Sequence, residues 1–422
     1  MICASTSTEQ PTMENSTNLI RLTASQMREL KQVIHTFGMD RYSLDLSLGA
    51  EENFGGIIIK ADVKYKRIGD CELNFILKCA SPSETLRKLM YVHTPYIREI
   101  YLYSKVLPEF VSIQKEFQIK KPFESYATYY SSLKIDREEM IILQNMKTLG
   151  LKQRERHLPL DYNHVLLTVK EYARLHALSY ALHYHRPELF EELEQNMADP
   201  MYFDFKLEGV RQVLQHRCSE ALKALSPTED QSAYQKLLYF SDNAVSIVIK
   251  LLNSANPHRV VSHIDCGIPN LLFEYENASN APIRVIMLDW QASRMESPAV
   301  DLVTFLFSAT DKATRYRYNE LISEYYGCLC SFLAEFGCDG KKLLPFEVLQ
   351  QQLKEYGIMG LFMVIGLIYV YSTVNQRVPD IYKEESHAEG LSFLYDLDDS
   401  SCFSKRVREA ILDFHNLGYN FS

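Results

Sequence analysis

The order in which two hydrophobic periods follow one another constrains the fold of this 422-residue chain more than any other feature. Residues 57–79, IIIKADVKYKRIGDCELNFILKC, form two β-rich runs around Gly69-Asp70, the pattern of an antiparallel hairpin. MIILQNM, residues 140–146, adds a further short strand. Beyond that the period lengthens: DYNHVLLTVKEYARLHALSYALHYH and the segments near 210–253 repeat apolar positions at helical spacing. VVSHIDCGIPNLLFEY and APIRVIMLDW then bring back short strands, joined by the polar loop ENASN, and the rest is mainly helical apart from the acidic stretch KEESHAEGLSFLYDLDD. The order predicts an α+β chain: a polar lead-in over 1–18, a β-rich lobe over 19–146 and a helical lobe with a β insert over 147–422.

Hydrophobic residues make up 46% and charged residues 23%, the proportions of a soluble globular protein. The net charge of −9 argues against a broad nucleic-acid surface, which needs clustered Lys and Arg to displace counterions. Nine scattered cysteines offer neither a disulfide framework nor zinc spacing and are read as thiols of a reducing cytoplasm. The first eighteen residues lack the basic start and apolar core of a signal peptide and read as disordered. YGIMGLFMVIGLIYVY, 356–371, carries no charge but falls short of the ~20 residues that span a bilayer. With Gly357, Gly360 and Gly366 to admit a neighbour, it is expected to be a buried helix and no membrane span.

Polar residues stand at the ends of these apolar runs, and phosphoryl transfer from ATP gives each a place. That reaction needs a cation on the phosphates, carboxylate and amide ligands for Mg²⁺, and a group facing the acceptor hydroxyl. Lys78 ends the strand FILK, and Glu99 lies on the next helix, PYIREIYLYSKVL, which Thr94 is expected to cap with Pro95 at its first position. HIDCGIPN supplies Asp265 toward the hydroxyl and Asn270 toward the metal, and VIMLDWQ supplies Asp289 as second ligand. Gly49, Gly55 and Gly56 precede the hairpin, where backbone N–H groups suit phosphates. Plainer readings exist: a snorkelling lysine, turn chemistry at Asp265 and Asn270, an ordinary glycine turn. Asp289 resists them, because a carboxylate after four apolar residues is costly to bury without a cation.

HIDCGIPNLLF resembles the H-G-D-x-W-x-x-N type loop of aminoglycoside phosphotransferases and choline kinases, and LDWQ resembles their magnesium-binding I-D-F/W-Q/E. More narrowly, FILK, YIREIYLY, IILQNMKTLG, EYARLHALSYAL, HIDCGIPN and LDWQASRMESPAVDLVTFL together resemble the ecdysteroid kinase-like family of insects, also called CHK kinase-like, over roughly residues 45–375. The resemblance implies a bilobed protein-kinase-like fold with ATP between the lobes. It implies Asp265 as catalytic aspartate, Asn270 and Asp289 as metal ligands, Lys78 and Glu99 as an ion pair, and Gln144, Asn145 and Met146 as the hinge that meets adenine. Asp301 matches a buttress of the catalytic loop, while His263 and His176 match family positions and are read as structural; metal binding by His176 with His183 lacks a carboxylate or cysteine at suitable spacing.

Three positions depart from the family pattern: Ile264 stands for glycine, Gly56 for serine, and Gln144 for glutamate. None removes a catalytic group. A protein kinase fits poorly, because twelve positions separate Asp289 from Asp301 and no A-P-E follows. The acceptor is therefore expected to be a small-molecule alcohol, an ecdysteroid or similar lipophilic compound by the resemblance, with choline, ethanolamine or an aminoglycoside as alternatives. The 27 tyrosines suit a flat alcohol, a choline cage and plain core packing alike. A catalytically silent binder of the same fold is the other class, and retention of all five polar groups weighs against it.

Overall fold

The computed structural model describes residues 22–39, 41–49, 56–66, 70–84, 87–88, 91–197, 208–252, 254, 256–372 and 400–421. The lead-in over 1–18, Gly55, Gly69 and the acidic stretch before Ser400 lie outside them.

Five antiparallel strands build the first lobe: β1 (Ser43–Leu48), β2 (Gly56–Lys66), β3 (Asp70–Ala80), β4 (Tyr129–Leu133) and β5 (Met140–Gln144), in spatial order β1-β2-β3-β5-β4. The predicted hairpin is β2 with β3, in register from Gly56 opposite Ala80 to Lys66 opposite Asp70, so Asp70 already belongs to the second arm. Period-two alternation gives this sheet two faces. Phe75, Leu77 and Cys79 pack with Ile59, Ala61 and Val63 under helix α1 (Ala24–Thr36), through Leu30, Val33 and Ile34. Their neighbours Ile76 and Ala80 face the larger core that runs on into the second lobe.

Helix α2 (His93–Tyr101) passes through a π-helical turn, Leu102–Val106, into α3 (Leu107–Glu116). It begins earlier than expected: its N-cap is Val92, without a side-chain cap, and Thr94 lies inside the first turn. Pro95 is tolerated there because the first N–H groups of a helix have no intrahelical acceptor. Strand β5 also ends early, since Asn145 caps a 3₁₀ turn over Met146–Leu149 with its side chain.

The second lobe comprises α4 (Tyr162–His185), α5 (Pro187–Asn196), α6 (Glu208–Lys223), α7 (Gln231–Leu252), α8 (Pro298–Ser308), α9 (Lys312–Arg315), α10 (Tyr318–Glu335), α11 (Gly340–Leu343), α12 (Phe346–Ser372) and α13 (Ser400–Asn416). Two small antiparallel sheets lie among them. One joins β6 (Lys152–Gln153), β8 (Leu271–Tyr275) and β9 (Pro282–Met287); the other pairs β7 (Val260–Ser262) with β10 (Arg294–Glu296). Helix α12 contains the uncharged stretch 356–371 and is long and apolar enough to cross a membrane, yet Gly357, Leu361, Val364, Ile365 and Ile368 are all buried in it. It packs on α8 and α13 as a core helix. Among the described cysteines, Cys79, Cys218, Cys266 and Cys338 are buried thiols and Cys328, Cys330 and Cys402 half-buried ones.

Candidate active site

Alternation along β3 turns Lys78 away from the α1 side, where Leu77 and Cys79 lie, and toward α2. On α2 the buried stripe runs Tyr96, Glu99, Ile100, one helical turn apart, so Glu99 meets the lysine. Lys78 Nζ donates to Glu99 Oε2 at 2.6 Å, to Asp289 Oδ1 at 2.5 Å and to Gln291 Oε1 at 3.4 Å, and lies 5.7 Å from the centre of the Tyr96 ring. Lys78 is 4% exposed and Glu99 0%. Burial works against the ammonium, but Asp289 and Glu99 outweigh it and hold its pKa up at about 12. Burial pushes Glu99 upward, with Lys78 and the Trp290 N–H, which donates to Glu99 Oε1 at 3.3 Å, pulling the other way. The snorkelling reading of Lys78 is thus overturned.

The loop after β7 is held from below by α8. Asp301 Oδ2 accepts from the His263 N–H at 2.9 Å and from His176 Nε2 at 3.1 Å, and Asp301 Oδ1 accepts from the Ile264 N–H at 2.7 Å. His176 Nδ1 meets the Tyr325 hydroxyl at 2.9 Å, so both of its nitrogens are engaged within the core. His263 Nε2 lies 2.9 Å from the Leu288 carbonyl, its ring against Trp290 at 4.4 Å between centroids, and burial lowers its pKa, so the ring is neutral and donates from Nε2. These bonds tie the loop to α8 and to the segment after β9 that carries Asp289. Ile264 adopts φ 71°, and Asp289 adopts φ 61°. The left-handed region favours glycine, and a β-branched residue there is strained. The position resembling a family glycine keeps the glycine backbone, with Ile264 bearing the strain.

Asp265 is half-buried, and burial first, then Asp289, push its carboxyl up to about 7 against the pull of Lys78. Asn270 Nδ2 donates to the Asp265 carbonyl at 2.7 Å, which orients the amide and leaves Oδ1 as its acceptor. Asp289 keeps its second carboxylate oxygen and a side chain 24% exposed. Hard oxygen donors of this kind suit Mg²⁺, which keeps several waters and takes few protein ligands.

Residues 50–338, two thirds of the chain, match the model of the ecdysteroid kinase-like family. The chain belongs to this family. Its likeness to solved structures is remote. The GDP complex of an aminoglycoside 2'-phosphotransferase-IIIa is 12% identical, with 86% of this chain and 95% of that one covered at a TM-score of 0.39. Glucosamine kinase in complex with glucosamine, ADP and inorganic phosphate is 10% identical, with 88% and 83% covered at a TM-score of 0.32. No curated protein matches.

Within this ecdysteroid kinase-like chain the residues expected around the nucleotide separate into two groups. Lys78, Glu99 and Asp289 converge directly, and His263, Asp265 and Asn270 share one loop that Asp301 of α8 holds by hydrogen bonds. Gly56 owes its place to space: a Cβ there would lie 2.1 Å from the Cys79 carbonyl oxygen and 2.2 Å from the Tyr96 hydroxyl, so a serine would not fit. In the hinge, the Asn145 N–H donates to the Asn74 carbonyl at 2.9 Å and its own carbonyl accepts from the Thr148 hydroxyl at 2.7 Å. Asn145 is thereby bound within the fold, and Met146 follows it as the first residue of the 3₁₀ turn. Gln144 accepts from the Thr128 hydroxyl at 2.8 Å.

Tyr96 and Gln291, which both touch Lys78, were not singled out from sequence; Gln291 stands in LDWQ, and that motif was its signal. His93, Asp136 and Glu139 form a second cluster of possible metal ligands. Arg87 Nη2 already lies 2.6 Å from both Asp136 and Glu139, so a fixed cation occupies that place.

Proposed function

We propose that this chain is an ATP-dependent small-molecule kinase that transfers the γ-phosphate to an alcohol hydroxyl, that of an ecdysteroid or similarly lipophilic compound. The observation that carries the reading is the buried Lys78 held between Glu99 and Asp289 beside the loop that bears Asp265 and Asn270. Nothing in a fold requires a lysine, two carboxylates and an oriented amide to share one place, since burying such charges is expensive unless they are used.

In this reading Lys78 binds the phosphates, and Glu99 fixes its position. Asn270 and Asp289 would hold Mg²⁺, which supplies charge neutralisation on the phosphates when bound. Asp265 accepts the proton of the acceptor hydroxyl as its oxygen bonds to the γ-phosphorus, while the bond to the β,γ-bridging oxygen breaks and ADP leaves. The Met146 N–H meets the adenine. The residues from Trp290 to Ser297, between Asp289 and α8, are occupied by a 3₁₀ turn and by β10 paired with β7, which leaves no platform for a peptide and supports a small acceptor. The scattered cysteines support a reducing, cytoplasmic setting.

The test is transfer of labelled γ-phosphate from Mg·ATP to ecdysteroids, choline, ethanolamine and aminoglycosides, with Asp265→Ala alongside. Label on the ecdysteroids that the variant abolishes is the expected result. Label on another class keeps the kinase and replaces the acceptor. No transfer, and no response of Trp290 fluorescence to Mg·ATP, would return the chain to the silent-binder reading.

A further inference from the structure

The long apolar helix α12 reaches the catalytic loop with one side chain. Gly267 has φ −89° and ψ −179°, extended backbone that any residue adopts, so its conformation makes no demand for glycine. Its surroundings do. A Cβ at position 267 would lie 1.4 Å from the Tyr371 Oη and 2.4 Å from its Cζ. The phenol therefore rests on the loop backbone between Asp265 and Asn270, and Tyr371 is 3% exposed there. Burial, reinforced by Asp265 and Cys266, holds its hydroxyl proton far above the ordinary range.

The helix behind this phenol has little freedom to move. At Gly360 of α12 a Cβ would come 2.5 Å from Val303 Cγ1 and 3.1 Å from the Thr304 backbone nitrogen, so α12 lies directly against α8. Helix α8 carries Asp301, which takes the N–H groups of His263 and Ile264. One helix thus holds the loop at its start, the other bears on its middle, and the two are packed on each other.

Resting on the kinase reading above, we propose that Tyr371 is a positioning residue: its phenol is the stop against which Gly267 seats, and this contact sets Asp265 relative to Asn270. Gly267 and Tyr371 are then a complementary pair, small against large: a side chain at 267 must displace the phenol or the loop, and loss of the ring removes the stop.

The experiment is a size-swap cycle in the full chain, with Gly267→Ala, Tyr371→Leu, the double variant, and Tyr371→Phe to keep the ring. Release of ADP from Mg·ATP gives kcat and KM, and thermal unfolding is read alongside. Gly267→Ala is expected to lower kcat about a hundredfold, the scale of an ångström's misplacement, with the KM for Mg·ATP little changed. Tyr371→Leu alone should lower kcat about tenfold, and Tyr371→Phe should stay within about threefold of the parent, since the ring still bears on the loop. The double variant should return to the level of Tyr371→Leu, well above the product of the two single losses. Parent kcat in Gly267→Ala, or a double variant that falls to that product, overturns the proposal, and so does a KM that rises in step with the loss of kcat, which marks general damage to the site. A parent chain that releases no ADP from Mg·ATP with the acceptor panel present, and whose Trp290 fluorescence ignores Mg·ATP, counts against the kinase reading instead. The cycle is then judged by melting temperature: a double variant as stable as Tyr371→Leu upholds the pair, and additive losses refute it.

Discussion

Lys78→Met removes the cation from between Glu99 and Asp289 while keeping most of the side-chain volume. Asp289 is 24% exposed and stays solvated, but Glu99 is 0% exposed and retains the Trp290 N–H at 3.3 Å. An uncompensated buried carboxylate takes up a proton, and that sets the size of the loss. Protonating a carboxyl of ordinary pKa 4.5 at pH 7 costs about 3.4 kcal/mol, in line with the ~3–5 kcal/mol for breaking a buried pair. At pH 5.5 the same step costs about 1.4 kcal/mol. The sign follows from linkage: without its partner, Glu99 has a folded pKa above its unfolded one. The variant therefore keeps its stability at low pH and loses it as pH rises from 4.5 toward that folded value. Urea unfolding followed by the emission of Trp290, itself fully buried, reads the difference at both pH values. Lys78→Met/Glu99→Gln carries no charge at position 99, so the growth of the loss with pH seen in Lys78→Met should be absent from it and its loss at pH 7 fall to about 1–2 kcal/mol. An equal loss at pH 7 and pH 5.5, or one below about 1 kcal/mol at pH 7, would refute the reasoning.

Asp265→Asn should reduce transfer by about 10²–10⁴-fold while the Trp290 response to Mg·ATP persists, measured by labelled-phosphate transfer and fluorescence titration. Because burial raises the Asp265 carboxyl to about 7, kcat/KM should fall as pH drops below about 7, where the base becomes protonated, and level off above it; a flat profile from pH 5 to 8 would remove Asp265 as the base. Asp301→Ala strands the N–H groups of His263 and Ile264 and one nitrogen of His176, and should cost about 3 kcal/mol or more in chemical denaturation. Ile264→Gly relieves a left-handed backbone worth about 1–2 kcal/mol and gives up a half-buried side chain, so its melting curve should stay within about 1 kcal/mol of the parent's. A larger loss would show that the side chain matters more than the backbone.

Much of the site could be read along the chain. Alternation in FILK dictates that Lys78 and Leu77 face opposite ways, and the helical stripe Tyr96, Glu99, Ile100 dictates that Glu99 is buried. Asp265, Asn270 and Asp289 were legible because each interrupts an apolar run at its end, where a polar group needs a reason. Element limits were less legible: Thr94 gave way to Val92 as N-cap, and Asn145 turned out of the strand to cap its own 3₁₀ turn. Local signals for starting a helix compete with the packing of its face, and packing prevailed.

The tertiary partners of other residues had no sequence signal. Gly56, read as a phosphate-loop glycine, also has its lack of a side chain answered by Tyr96 and the Cys79 carbonyl, and Gly267 answers to Tyr371, more than a hundred residues away. Asp301 gathers His176, His263 and Ile264 onto one carboxylate, and Ile264 accepts a left-handed backbone so that its N–H can reach it. The sequence by itself determined the order of the elements, the buried face of each, and which chemical groups end them, because periodicity acts through neighbours a few residues apart. Which side chain stands opposite each group was decided only when the chain closed: contacts between distant segments depend on how the lobes and helices stack, and no local period carries that information.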